Sequence, residues 1–227
     1  MADITWSTFD KILNSFGISL DEEKLDKLVR YHKLLLSERQ RLNLYSLRDM
    51  ERLIKYHFVD SVVVIKLISE NKVVADLGSG AGFPGVIIKI FRPDLKVYLI
   101  ESKHKKAVFL EKVILDLDLK ECYVINKRIE ELRNIKFDIV VSRLVAPLKK
   151  TLKWIMNMDA FKPDMLILYK KTRVIERELK EAEDFIRRVG YQKKDIVKFR
   201  YEHIRLVRSL LILERIKNGT TSNLLDN

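Results

Sequence analysis

The sequence predicts an α/β protein: a mainly parallel sheet of seven strands with helices on both faces, preceded by a helical extension. Three observations predict it. From residue 71 onward, short runs rich in β-branched residues alternate with helical stretches, the pattern of a parallel sheet. Before that point the apolar residues recur with helical spacing. Four of only 7 glycines fall between Gly78 and Gly85, where the first strand gives way to the first sheet-packing helix.

The elements follow in order. Trp6, Phe9, Ile12, Leu13 and Phe16 lie on one helical face. Leu25, Leu28, Leu35 and Leu36 repeat the spacing after Asp21-Glu22-Glu23, an acidic first turn that suits the helix dipole. Met50, Leu53, Ile54 and the stretch Phe58 to Ile68 predict one or two further helices. The expected strands are Val73–Leu77, Val97–Ile100, Tyr123–Ile125, Phe137–Val141, Met165–Tyr169, Val197–Tyr201 and Leu206–Leu213. The expected intervening helices include Gly85 to Phe91, closed by Arg92-Pro93, Lys103 to Leu117, and Val174 to Arg188, stopped by Gly190. The last two strands have no helix between them and are expected to form an antiparallel hairpin. The implied divisions are a helical extension over 1–70, a ligand-binding domain over 71–217 and a polar tail over 218–227.

Composition narrows the function. The chain has 227 residues, long enough to bury a core without staples. A single cysteine, Cys122, excludes an intramolecular disulfide framework. The four histidines (His32, His57, His104, His203) show no ligand spacing, so no metal is expected. No signal peptide or membrane-length apolar run is visible, which points to a soluble cytoplasmic protein. The formal net charge is +12, and all of the excess lies beyond residue 70, where 33 basic side chains face 21 acidic ones. An anionic partner is expected, nucleic acid first, with salt-dependent binding. Residues 143–173 hold eight basic and two acidic side chains. Within them Lys149, Lys150, Lys153, Lys170, Lys171 and Arg173 are the candidates to face RNA. The plainer reading is a lysine-rich surface that keeps the chain in solution.

The glycine cluster carries the chemistry. Val73-Val74-Ala75-Asp76-Leu77 runs into Gly78-Ser79-Gly80-Ala81-Gly82-Phe83-Pro84-Gly85. Glycines here permit positive φ and let a ligand approach the backbone, at the carboxyl end of a strand where nucleotide-type ligands bind. The loop formally fits G-x-G-x-x-G, but Pro84 removes a donor where a pyrophosphate would need one. Asp76 is badly placed for a pyrophosphate and well placed for an ammonium beside a sulfonium. The pattern favours S-adenosylmethionine over NAD; a tight turn with no ligand is the plainer alternative. Glu101 ends the second strand, where an acid accepts hydrogen bonds from ribose hydroxyls; otherwise it is an exposed acid paired with Lys103 or Lys105. Ile129 and Glu130 follow the third strand, the usual place for an adenine-edge contact; a helical N-terminal turn is the equal alternative. Arg143 ends the fourth strand beside the crevice, free to hold a carboxylate, a base edge or a phosphate, unless it is merely a surface arginine. An NAD-linked oxidoreductase and a non-enzymatic RNA-binding protein remain the alternatives.

These residues together resemble the RsmG (GidB, glucose-inhibited division protein B) family. Asn43-Leu44 ahead of Ser46-Leu47-Arg48-Asp49, His57-Phe58-Val59-Asp60-Ser61, the loop Asp76 to Gly85, Glu101-Ser102 with Lys106, Phe109 and Leu110, and Ser142-Arg143 with Ala146 match its motifs in order. The chain departs from the family at Tyr45, Leu144 and Thr172 and at Ser37-Glu38-Arg39. The resemblance implies a Rossmann-like class I methyltransferase fold. It implies that Gly78 and Phe83 line S-adenosylmethionine, that Glu101 takes its ribose, that Ile129 and Glu130 border its adenine and that Arg143 completes the site; the loop itself adds Asp76, Gly80 and Gly82 to the expected cofactor-binding residues. It further implies methylation of N7 of the guanosine at position 527 of 16S ribosomal RNA; the expected partner is the 30S subunit or its precursor, and the expected state is a monomer. No general base is expected, because N7 carries a free lone pair. Arg143 and His57 are the candidates for positioning the base.

Overall fold

The computed structural model describes residues 5–42, 57–133, 135–143, 146–157, 162–201 and 206–216. Asn43 to Asp49, Met50, Leu53, Ile54, Leu144 and the tail 218–227 lie outside the described residues.

Two helices open the described chain. Helix α1 (Trp6–Ser15) begins at Thr5, whose hydroxyl accepts from the Thr8 amide at 3.3 Å, an N-cap in the usual sense. Helix α2 (Glu22–Leu42) begins with the acidic pair Glu22 and Glu23. A short helix α3 (Val59–Val62) and a 3₁₀ turn over Ile65–Leu67 lead into the sheet. The expected helix over Phe58 to Ile68 is therefore broken into two short pieces.

The sheet has seven strands: β1 (Val73–Leu77), β2 (Lys96–Ile100), β3 (Cys122–Ile125), β4 (Ile139–Ser142), β5 (Met165–Lys170), β6 (Tyr191–Tyr201) and β7 (Leu206–Arg215). Their order is β3-β2-β1-β4-β5-β7-β6. The first five are parallel, and β7 runs antiparallel to both β5 and β6. The expected hairpin is present, although β6 starts six residues earlier than its β-branched run Val197–Tyr201. The polar segment Gln192-Lys193-Lys194-Asp195 pairs along the edge, so it carries no apolar signal to read.

Helices α4 (Gly85–Phe91) and α5 (His104–Asp116) cover one face of the sheet together with α1 to α3, and share one core with them. Helices α6 (Leu148–Met156) and α7 (Ile175–Arg188) cover the other face. Phe9, Leu28, Tyr31 and Phe58 are fully buried against Phe83, Val86 and Leu110. The N-terminal helices thus complete the core that seats the glycine loop. The strand order reverses between β1 and β4, and the loops at that switch point form the crevice where ligands of such sheets bind.

Candidate cofactor site

The glycine loop folds as a tight connection from β1 to α4. Gly78, Gly80 and Gly82 have φ of 72°, 61° and 103°, a region closed to most side chains. The Gly78 and Ser79 amides donate to the Ile100 carbonyl at 2.9 and 3.1 Å, tying the loop to the end of β2. The Ser79 hydroxyl donates to the Asp76 carbonyl at 2.9 Å. From outside the loop, the Tyr31 hydroxyl of α2 donates to the Ala81 carbonyl at 2.5 Å.

Asp76 sits under this loop with no exposed surface. Its Oδ2 accepts from the Gly85 amide at 3.0 Å, while Oδ1 is buried without a hydrogen-bond partner. Burial pushes the carboxyl up to about 7, against the pull of the Gly85 amide and of Arg143. A buried oxygen left unsatisfied is costly. It is the kind of group that a donor on a ligand would complete, and an ammonium group suits it as a pyrophosphate does not. A Cβ at Gly80 would meet nothing closer than the Gly78 carbonyl at 3.8 Å, so the loop is open on that side. The residues present fit S-adenosylmethionine.

Glu101 is buried, not exposed, and its partners are amides. Its Oε2 accepts from Gly80 N at 3.0 Å and its Oε1 from Lys103 N at 2.8 Å. Each oxygen keeps a second lone pair for a ribose hydroxyl. Asn126, absent from the residues predicted, braces this position: its Nδ2 donates to the Glu101 carbonyl at 2.8 Å. Ile129 and Glu130 lie half-buried in a 3₁₀ turn over Ile129–Glu131 after β3, on the same edge of the sheet.

Phe83 is 6% exposed and packs in an aromatic cluster, 5.4 Å from Tyr31, 5.2 Å from His57 and 5.3 Å from Phe58 between ring centroids. Arg143 lies between this cluster and Tyr169, with its guanidinium 6.0 and 5.6 Å from the Phe83 and Tyr169 ring centroids. Its Nη2 is 3.2 Å from His57 Nδ1 and 3.6 Å from Asp60 Oδ2. A guanidinium only donates, so His57 Nδ1 accepts and a neutral ring carries its proton on Nε2. Asp60 is 1% exposed and also holds Arg208 Nε at 3.0 Å. Arg208 gave no signal in the sequence. It reaches the site because β7 inserts next to β5.

The basic candidates divide. Lys149, Lys150 and Lys153 are exposed along α6, and Lys171 and Arg173 are exposed after β5. Lys170 departs from the expectation of a surface cation. It is 8% exposed, with Nζ on the Ala146 carbonyl at 2.7 Å and Glu178 Oε2 at 2.9 Å, because it ends β5 on the face covered by α7.

A family profile for GidB, described as rRNA small subunit methyltransferase G, matches residues 24–207. The chain belongs to the GidB family. Among its relatives is the ribosomal RNA small subunit methyltransferase G of Carboxydothermus hydrogenoformans, 34% identical over 89% of this chain and 88% of that one. The protein of the same name from Lachnoclostridium phytofermentans is 35% identical over 95% and 91%. Solved structures share the fold: a SAM dependent methyltransferase from Aquifex aeolicus (TM-score 0.56, 16% identity, covering 73% of this chain and 93% of that one) and P. horikoshii TYW2 in complex with MeSAdo (TM-score 0.55, 19%, 72% and 64%). This GidB chain is a class I methyltransferase that uses S-adenosylmethionine. Among the described residues no helix is long and apolar enough to cross a membrane.

Proposed function

We propose that this chain transfers a methyl group to N7 of the guanosine at position 527 of 16S ribosomal RNA, within the 30S subunit or its precursor, acting as a monomer in the cytoplasm. The observation that carries the reading is the buried Asp76, with one unsatisfied oxygen, beneath the glycine loop of a chain matched to an rRNA methyltransferase family over residues 24–207. When bound, S-adenosylmethionine supplies an electrophilic methyl group. The protein's own work is placement. Asp76 takes the ammonium end, Glu101 the ribose hydroxyls, and Ile129 and Glu130 border the adenine. Guanine N7 presents a lone pair without losing a proton, so no side chain has to act as a base. Arg143, oriented by His57 and Asp60, holds the incoming base or its neighbouring group. A base leaves its stack to reach such a crevice and is met by planar groups; Arg143, His57 and Phe83 supply them here. Lys149, Lys150, Lys153, Lys171 and Arg173 supply the charge that draws RNA.

The test is transfer of labelled methyl from S-adenosylmethionine to 30S subunits, to naked 16S RNA and to protein, followed by mapping of the modified nucleotide. Label at N7 of one guanosine in 16S RNA is the expected result. Label in protein, or no label together with no cofactor binding by calorimetry, overturns the reading.

A further inference from the structure

A cleft of about 370 Å³ opens beside Arg143 at the carboxyl ends of β4 and β5, and its wall includes Arg208 of β7. That volume is within the range of small-ligand sites. Five cations line it (Arg143, Lys170, Lys171, Arg173 and Arg208) against two carboxylates, Asp60 and Glu178. Both carboxylates are already engaged inside the protein. Asp60 holds Arg208 at 3.0 Å and Arg143 at 3.6 Å. Glu178 holds Lys170 at 2.9 Å and accepts from the Leu148 amide at 2.9 Å. Among the described residues neither Lys171 nor Arg173 is paired. The cleft therefore keeps a surplus of positive charge on concave, partly desolvated walls, where an anion is attracted more strongly than on an open surface.

The arrangement is more than a basic surface. The Asp60 carboxylate is 2% exposed and sits between two arginines from β7 and from the end of β4. It holds Arg208 through Nε and Arg143 through Nη2, while Arg143 Nη1 reaches Ser61 Oγ and Arg208 Nη1 reaches the Val207 carbonyl, each at 3.5 Å, so both guanidinium groups are fixed in the wall of the cleft. Arginines held in this way match the several oxygens of a phosphate. Arg143 also borders the Phe83 ring beside the glycine loop. Through Arg143 the cleft thus adjoins the residues of the glycine loop.

We infer that this cleft seats a phosphodiester of the RNA substrate adjacent to the nucleotide being methylated, with Lys171, Arg173 and Arg208 as its cationic walls and Asp60 as the positioning residue that spaces Arg143 and Arg208. The inference rests on the proposed RNA substrate. Free phosphate and a nucleotide monophosphate share the chemistry, and the experiment separates them from RNA.

The full chain is titrated with inorganic phosphate, guanosine, guanosine 5′-monophosphate and 16S RNA at matched ionic strength. The variants are Lys171→Gln/Arg173→Gln and, as a control ahead of β3, Lys120→Gln. Inorganic phosphate is expected to raise the melting temperature of the parent and of K120Q, and not of the double variant. The monophosphate is expected to bind the parent more tightly than guanosine. The double variant is expected to raise KM for RNA with kcat and S-adenosylmethionine affinity unchanged. Its salt slope for RNA binding falls by about 0.7 for each phosphate that the variant no longer neutralises. A phosphate response that persists in the double variant, or an unchanged KM for RNA, overturns the proposal. Both changed residues are exposed, and the melting curve without phosphate reports whether the fold is intact. If the parent binds phosphate in the cleft but methylates no RNA, the functional reading fails and the anion site stands; if it methylates RNA and binds no phosphate, the reverse holds.

Discussion

Asp76 is the residue on which most of the chemistry turns. Its carboxyl is held near 7 by burial, above the 3.8 of an unburied aspartate, so the folded chain binds a proton there more tightly than the unfolded chain does. Its contribution to stability is complete below about pH 4 and is lost as pH rises through about 7. Binding of a cationic ligand has the opposite sense, because it needs the carboxylate. Affinity for S-adenosylmethionine is expected to fall about tenfold per pH unit below 7, which calorimetry between about pH 6 and 8 measures. Asp76→Asn keeps an oxygen for the Gly85 amide and removes the charge. It should raise stability at about pH 8, flatten both pH profiles and weaken cofactor binding by about 1.5–3 kcal/mol. A variant that binds as tightly as the parent would mean that no ammonium meets this group. Glu101 makes the companion case. Glu101→Ala leaves the Gly80 and Lys103 amides without their acceptor and is expected to cost about 1–3 kcal/mol in thermal unfolding as well as cofactor affinity. The sequence placed both acids at strand ends correctly. It had no means of telling that Glu101 is buried on two amides, because that depends on how the loop curls over β2.

At the level of elements, the β1–α4 loop separates glycines that the sequence treats alike. A Cβ at Gly85 would collide with Leu99 Cδ2 and lie 2.7 Å from Asp76 Oδ2, whereas at Gly80 it would make only an ordinary contact with the Gly78 carbonyl at 3.8 Å. Gly85→Ala is therefore expected to be severe, on the order of 3 kcal/mol or more from overpacking against buried atoms. Gly80→Ala should cost about 1 kcal/mol for its positive φ. Urea titrations of the two variants check the order, and equal losses would contradict the packing described. Strands β1 to β5 could be read to within one or two residues: β1, β4 and β5 are buried on both faces and have no polar alternation to confuse them, and the half-buried β2 and the edge strand β3 keep runs of β-branched and aromatic residues. Helix α2 could be read as a helix, but its role could not. Tyr31 reaches the Ala81 carbonyl across 50 positions of sequence, a contact that only the packing of α2 on α4 and α5 creates. Helix α6 buries Leu148, Leu152 and Ile155 together with the polar Thr151, and its nine residues fall short of the window in which periodicity is decisive.

Across the whole molecule, charge and topology act together. The excess of positive charge lies beyond residue 70, and the parallel strands deliver Arg143, Lys171 and Arg173 to the edge that carries the glycine loop. Lys149→Ala/Lys150→Ala removes two exposed cations of α6 and is expected to lower RNA affinity and its salt slope while leaving cofactor affinity unchanged, as filter binding at several salt concentrations measures. A change in cofactor affinity instead would mean that α6 shapes the crevice. The parallel α/β order and the hairpin could be read from the alternation of elements. The insertion of β7 beside β5 could not be, and with it came Arg208 and its pairing with Asp60. The core shared between α1, α2 and the glycine-loop helix has a consequence for the chain as it is synthesised. Phe9, Leu28 and Tyr31 leave the ribosome well before Phe83 and Val86, the residues that cover them. The leading helices therefore spend the interval with an apolar face unburied, and a pause in translation between residues 42 and 91 prolongs the period in which a chaperone can hold them.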